Sequence, residues 1–356
     1  MELDVRNRHK GAIPLNHHPD FSELGYQVIR ELGRNREGGR ITYLANILNS
    51  NQQVVIKEFS FASASADWSG MKAYEREIEI LKQLNHSRIP RYIDSFEMLG
   101  FFYLVQEYKK APSLSSKRSF HPKEIKQIAL SILEILVYLQ KQVPSIIHRD
   151  IKPENILVDE QLNTYLVDFG LAQSKSAKIA LSSFVVGTPG FMPPEEQFGH
   201  SLTEASDLYS LGATLICLLT DTPSVDIGKL VDEKYRFDFH KFVSPINPCF
   251  ESWLIKMVER KRKHRYANAA VALEALKPIE VLVTTTGIDT FVRTIIPCKR
   301  ATVLGLATVV ILAAVGVGAT LMSYQPGGAV RQLLEARKCQ SFNLNASCQE
   351  KTGHED

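Results

Sequence analysis

The sequence predicts an α+β chain of two lobes, one β-rich and one helical, followed by a single transmembrane helix. Three observations carry this prediction. Residues 26 to about 105 hold short runs of β-branched and aromatic residues. Residues from about 113 to 276 repeat apolar positions at helical spacing. Residues 301–322 contain no charge at all.

Taken in order, residues 1–22 mix charge, His and Pro without periodicity and read as a flexible leader. Their opening, MELDVRNRHK, is charged from its second residue and lacks the apolar stretch of a secretory signal. Strands are expected over Tyr26–Leu32, Ile41–Ile47, Val54–Phe59, Tyr92–Glu97 and Phe101–Val105. One helix interrupts them, Lys72–Leu84, with Ile78, Leu81 and Leu84 on one face. This first lobe is assigned to about 23–107. After Ala111-Pro112, Pro122–Lys141 carries Ile125, Ile128, Ile132, Ile135, Leu136 and Leu139, a long helix with a broad apolar face. Further helices are expected at Leu208–Leu219, Phe250–Arg260 and Ala267–Leu276, giving a second lobe over about 113–279. The join at Glu107–Pro112 would be a hinge, and clefts between lobes are common ligand sites.

Residues 280–300 are read as a juxtamembrane linker and 301–322 as the membrane span. At 1.5 Å per residue that span would reach about 33 Å, enough for a hydrocarbon core of about 30 Å. A buried core helix is the competing reading, but it seldom needs such length without one charge. Arg293, Lys299 and Arg300 flank the N-terminal side, whereas the first basic residue beyond is Arg331. The positive-inside rule then places the two lobes in the cytoplasm and the short tail, 323–356, outside. That tail is too short for a sizeable core, so it makes a weak sensor. Ala314 and Gly318 form a small-x-x-x-small pair that would allow self-association, although ordinary lipid-facing residues explain them equally.

Composition narrows the function classes. The chain is 44% hydrophobic and 23% charged, as expected of a protein with a sizeable core, and a net charge of +3 makes no electrostatic case for nucleic acid. Its five cysteines form no C-x-x-C pair, which argues against zinc and thioredoxin-type chemistry. Cys217 and Cys249 sit among apolar residues and read as reduced core thiols, and Cys298 as a reduced cytoplasmic one. Cys339 and Cys348, in the outer tail, would form a disulfide or remain two free thiols.

The strongest text is His148-Arg149-Asp150-Ile151-Lys152-Pro153-Glu154-Asn155, with Asp168-Phe169-Gly170 following. Here the sequence closely resembles the eukaryotic-type protein kinase family, over roughly Tyr26 to Leu276, and its Ser/Thr rather than its Tyr branch. GGRITYLA, residues 38–45, looks cyanobacterial. The resemblance implies transfer of the ATP γ-phosphate to Ser or Thr of proteins, including this one, with ATP and Mg²⁺ or Mn²⁺ as cofactors. Such chemistry needs cations on the phosphates and an acceptor oxygen held in line. Asp168, before Gly170 on a turn, suits a metal; Asn155 offers an amide oxygen to a second. Asp150 can accept the proton of the incoming hydroxyl, and Lys152 can balance charge on the transferring group. Each residue alone reads blandly; the order and separations of the set carry the inference. A kinase-fold binding module without turnover is the rival. The presence of Lys57, Asp150, Asn155 and Asp168 speaks against it.

Within the resemblance, Lys57 ends the strand Val54-Val55-Ile56-Lys57. It would hold the phosphates and pair with Glu77, with Glu75 and Glu79 as alternatives. Alone, Lys57 could be a solvated edge charge. The glycine-rich loop departs from the family pattern: Gly33, Gly38 and Gly39 are present, Asn35 replaces a glycine, and the loop is about two residues longer than the usual turn. Asn tolerates left-handed backbone, so a tight turn stays possible. Arg34, Arg36 and Arg40 could cover phosphates with side chains. Ile41 and Ala45 are assigned to the nucleotide site, Ala45 against the adenine face. Backbone groups near Glu107 and Lys109 would bond the adenine edge, with Gln106 behind the base. Downstream, Pro193-Pro194-Glu195 closes an activation segment. Glu195 is expected to pair with Arg265. Asp207 is expected to cap a helix and hold the catalytic loop. Arg149 implies control by a phosphate on that segment, for which Ser182 or Ser183 is favoured. Thr188 is expected to bond the catalytic loop.

Overall fold

Five strands form one antiparallel sheet in the order β1-β2-β3-β5-β4, and the register of β2 on β3 decides which side chains reach the cleft. The strands are β1 Tyr26–Asn35, β2 Arg40–Ile47, β3 Gln53–Ser60, β4 Tyr92–Met98 and β5 Phe101–Glu107. The structure is a computed structural model that describes residues 18–35, 40–50, 52–60, 69–116, 118–174, 188–234, 236–239 and 246–282. These residues belong to one unit ending at Thr285. Residues 1–17 of the leader, Gly38 and Gly39, Ser182 and Ser183, residues 283–300 of the linker, the predicted span at 301–322 and the tail lie outside them, whereas Phe21, near the end of the leader, is buried. Among the described residues no helix is long and apolar enough to cross a membrane.

Tyr43 lies opposite Ile56 and Ala45 opposite Val54, and opposed residues share a face. That face gathers Tyr43, Ala45, Val54, Ile56, Tyr103 and Val105 around Phe21 and Tyr26, with Ile41 packed against them. The aromatic members meet edge to face, Phe21 on Tyr103 at 4.9 Å between ring centroids. The opposite face carries Arg40, Thr42, Val55 and Lys57, with Thr42 directly across from Lys57. This corrects the assignment of Ile41 and Ala45 to the nucleotide site. Strand alternation turns both away from Lys57 and into the outer cluster. Thr42 and Val55 hold the cleft-facing positions instead.

Helix α1, Ser69–Gln83, packs on β3, β4 and β5. In the second lobe, α2 (Pro122–Gln140) buries Ile125, Ile128, Ala129, Ile132, Leu133, Ile135, Leu136 and Leu139. Each such Leu or Ile contributes about 1.5–3 kcal/mol on leaving water. Pro122 suits the first turn, where no amide partner is lost, and Glu124 Oε2 accepts from the His121 amide at 2.8 Å. After the single-turn α3, Pro194–Gln197, comes α4, Glu204–Thr220, buried from Ala205 to Cys217. Its N-cap is Thr203, whose amide donates to Ser206 Oγ at 3.0 Å. Asp207 is therefore not the cap. It lies inside the first turn, and its carboxylate reaches outward to other backbone. Helices α5, Pro248–Met257, and α6, Ala269–Leu276, complete the lobe. Their caps, Asn247 and Asn268, accept from Cys249 N at 2.9 Å and Val271 N at 3.0 Å. Gly212 lets α4 approach α5: a Cβ there would stand 2.7 Å from Val258 Cγ1 and 2.8 Å from Met257 Cβ.

Cys217 is a buried free thiol, pushed up to about 12 by burial. Cys249 departs from the reduced reading and is disulfide-bonded. It is half-buried at the first turn of α5 rather than enclosed in the core.

Two small ladders frame the cleft floor. Strands β6 (Ile146–Ile147) and β9 (Gln173–Ser174) pair on one side, and β7 (Ile156–Val158) and β8 (Thr164–Leu166) on the other. The His148–Asn155 loop leaves β6 and enters β7; Asp168–Gly170 lies between β8 and β9.

Candidate functional site

Lys57 stands at the centre of the cleft because β3 alternation turns it toward α1. Its Nζ is bonded to Glu77 Oε1 on that helix and lies 3.2 Å from Asp168 Oδ1. One ammonium thus ties the sheet lobe to the turn after β8. Glu77 is fully buried, as its place on the inner face of α1 requires. Asp168 adopts a left-handed backbone, φ 66°, as does Arg149 with φ 70°, conformations that non-glycine residues seldom hold. Phe169 anchors the turn: it is buried and meets the His148 ring edge-on at 4.7 Å. Burial alone would raise the Asp168 carboxyl; the ammonium of Lys57 and the guanidinium of Arg40 outweigh it and hold the group well below the usual carboxylate range.

The loop after β6 is held from below. Asp207 accepts from the backbone amides of His148 at 2.8 Å and Arg149 at 2.9 Å. His148 Nε2 is 3.2 Å from the Val167 carbonyl, and its Nδ1 accepts from the Asp150 amide at 3.3 Å. Those two roles fit a neutral ring, and burial lowers its pKa. Asp150 itself gathers three partners. Asn155 Nδ2 donates to Asp150 O at 2.8 Å and to Oδ2 at 2.7 Å; Lys152 Nζ is 3.0 Å from Oδ2; Thr188 Oγ1 is 3.3 Å from Oδ1. Lys152 also donates to Thr188 Oγ1 at 2.7 Å. A carboxylate, a cation and a hydroxyl are thereby held where an incoming alcohol could replace Thr188 as donor.

The guanidinium of Arg149 bonds Glu196, with Nε–Oε1 at 2.7 Å, and reaches Gln173 Oε1 at 3.1 Å. Burial pushes Glu196 up to about 7 against the pull of Arg149. Behind it, Arg265 grips Glu195 with both arms, Nη1–Oε1 at 2.7 Å and Nη2–Oε2 at 2.6 Å. At the hinge, the Glu107 amide donates to Arg91 O at 2.9 Å, and the Lys109 carbonyl accepts from Ala111 N at 2.8 Å. The Lys109 side chain turns back to Glu107 Oε1 and Ser87 O, both at 2.8 Å. Gln106 is buried on the Lys57 face, across from Val55. Gly33 pairs with Thr42, and Asn35 with Arg40, at the mouth of the β1–β2 turn.

A protein kinase domain model matches residues 26–274, well over half of the chain. The chain belongs to the protein kinase family. It is similar to serine/threonine-protein kinase D of Synechocystis sp., 33% identical over 263 residues, covering 70% of this chain and 51% of that protein. Serine/threonine-protein kinase B of the same organism is 34% identical over 273 residues, 71% of this chain and 46% of that one. Serine/threonine-protein kinase PrkC of Bacillus subtilis is 32% identical over 257 residues, with coverage of 68% and 39%. The chain spans about half the length of the curated relatives it matches first.

Set against the kinase resemblance, the fold brings together Lys57, Glu77 and Asp168 in one group and Asp150, Lys152, Asn155 and Thr188 in another. Sequence reasoning missed two contacts of arginine: Arg149 with Glu196, and Arg40 with Asp168, where Nη1–Oδ1 is 3.0 Å and Nη2–Oδ2 is 3.1 Å. The second had a signal, since Arg40 shares strand parity with Thr42, across from Lys57. A divalent cation fits the kinase site by donor chemistry. Among the described residues no cluster of three His, Cys, Asp or Glu could hold a metal alone. One carboxylate and one amide oxygen nevertheless suit Mg²⁺ or Mn²⁺, which keep waters and share phosphate oxygens. The Asn155 N–H₂ is spent on Asp150, so its oxygen is the atom left for a cation.

Proposed function

We propose that this chain is an ATP-dependent protein serine/threonine kinase, anchored to a membrane by residues 301–322. The observation that carries the catalytic reading is Asp150, bonded at once to Asn155, Lys152 and Thr188. In this reading Asp150 takes the proton of the acceptor Ser or Thr and aims its oxygen, and Lys152 balances charge on the group in transfer. Lys57, held by Glu77, binds the α- and β-phosphates. Asp168 and Asn155 would hold Mg²⁺ or Mn²⁺, which supplies positive charge to the phosphate oxygens. The turn bearing Gly33, Asn35, Gly38 and Gly39 would cover the phosphates, and backbone at Glu107 and Lys109 would bond the adenine edge. The full chain, incubated with labelled ATP, Mg²⁺ and generic protein acceptors, should label Ser or Thr on itself or on them. Asp150→Asn should reduce that labelling about 10²-fold or more. Equal labelling by the variant would remove Asp150 from its role.

The anchor reading rests on the charge-free run at 301–322 and on Arg293, Lys299 and Arg300 before it. It places the kinase domain, 23–279, in the cytoplasm and residues 323–356 outside. Lipid and a second copy of the chain, through Ala314 and Gly318, are the partners it adds. A membrane-impermeant thiol reagent on intact cells should reach Cys339 and Cys348, directly or after reduction. Labelling of Cys298 instead would overturn the orientation.

A further inference from the structure

Arg40 begins β2 on the same sheet face as Lys57, at the exit of the irregular glycine turn. Its guanidinium lies 5.8 Å from the centroid of the Phe59 ring, its partner across the ladder, which sets the course of the stem. From there it engages both oxygens of Asp168, at 3.0 and 3.1 Å, while Lys57 takes a further approach to Oδ1 at 3.2 Å. Paired arms on a carboxylate are among the stronger polar contacts a protein makes. Water screens this one little, since the two side chains are 24% and 20% exposed.

The surroundings are built for the guanidinium. Glu77 Oε2 is buried without a hydrogen-bond partner, and Arg40 Nη1 is the cation 3.8 Å away. Gly170 passes so near that a Cβ there would stand 3.2 Å from Nη1 and 3.3 Å from Glu77 Oε2. Two cations, Arg40 and Lys57, balance two anions, Glu77 and Asp168. A divalent ion brought onto Asp168 while Arg40 stayed would compete for the same lone pairs.

We propose that Arg40 is a built-in rival of the metal: it holds the Asp168 carboxylate until a divalent cation arriving with nucleotide displaces it, and so sets how much metal nucleotide binding requires. This rests on the phosphoryl-transfer reading above and adds a residue to it. The test is binding, without turnover. The affinity of the full chain for ADP is measured by calorimetry across a series of Mg²⁺ concentrations, for the natural protein, Arg40→Gln and Arg40→Lys. Arg40→Gln should lower the half-maximal Mg²⁺ roughly tenfold, the scale of a lost charge-assisted pair. Arg40→Lys, a point charge without the fork, should fall between. Thermal melts establish that each variant is folded. Should Arg40→Gln not fold, Arg40→Lys decides: a half-maximal Mg²⁺ at or above that of the natural protein overturns the proposal. A Mg²⁺ response in the natural protein that both variants reproduce overturns the proposal alone. ADP binding that ignores Mg²⁺ in the natural protein overturns the phosphoryl-transfer reading with it.

Discussion

Asp168→Asn should abolish measurable phosphoryl transfer, a loss of about 10³-fold or more, while the fold persists. Asp168 contacts Lys57 and Arg40 and is the carboxylate that the proposed function assigns to the metal. Exchange for an amide keeps the shape and removes the negative charge, so a divalent cation loses its principal protein donor. Loss of one electrostatic partner at a transferring group commonly costs about 10²–10³ in rate, and here the metal seat is lost with it. The apolar anchor of the turn is untouched, since Phe169 is buried beside His148 whatever stands at 168. The measurement is labelled-phosphate incorporation alongside a thermal melt. Full incorporation by the variant would remove Asp168 from metal binding; a collapsed melt would instead make it structural.

Glu195→Ala should be the most destabilising of the single changes considered. Arg265 would be left buried, 4% exposed, with its charge uncompensated. Breaking one side of such a pair costs about 3–5 kcal/mol, or roughly 6–20 °C in Tm at this domain size. Backbone carbonyls of Glu259 and Ala205 also accept from the guanidinium, at 2.6 and 3.1 Å, and soften the loss without supplying an anion. The pair leaves a pH signature. Burial would raise the Glu195 carboxyl, but the Arg265 and Ser206 bonds outweigh it and lower its pKa. A lowered carboxylate stabilises the fold above its ordinary pKa and loses that contribution as pH falls through the folded value. The natural protein should therefore approach the variant's stability in acid. Unfolding of both chains across pH checks this, and a constant gap would mean that the pair acts through packing.

The long periodic elements were legible because many residues vote on each. Helix α2 follows from apolar positions over five turns, and β3 from Val54-Val55-Ile56 ahead of Lys57. The two short ladders around the loop, two or three residues per strand, carry no period to read. Facing was harder. Ile41 and Ala45 belong to the right strand, but only the β2–β3 register, set through the turn after Ile47, tells which side meets Lys57. The cap of α4 is Thr203 and not Asp207, with Ser206 at capping separation from it. Contacts of Arg40 with a residue 128 positions later depend on sheet twist and turn geometry together. No local pattern encodes that meeting.

Asp207 gives the cleft an uneven mechanical character. Its helix is buried along most of its length, and its carboxylate grips two consecutive amides of the loop that presents Asp150. Opening that loop requires disturbing the helical core, so Asp150 is tied to a well-buried cooperative unit. Asp168 hangs between two miniature ladders and is restrained chiefly by side chains from the opposite lobe, Lys57 and Arg40. Asp150, the proposed proton acceptor, is thus fixed to the floor, and Asp168, the proposed metal donor, is coupled to the roof. Whatever moves the sheet lobe will shift one member of the constellation relative to the other, so under the proposed function lobe position would act as a throttle on turnover.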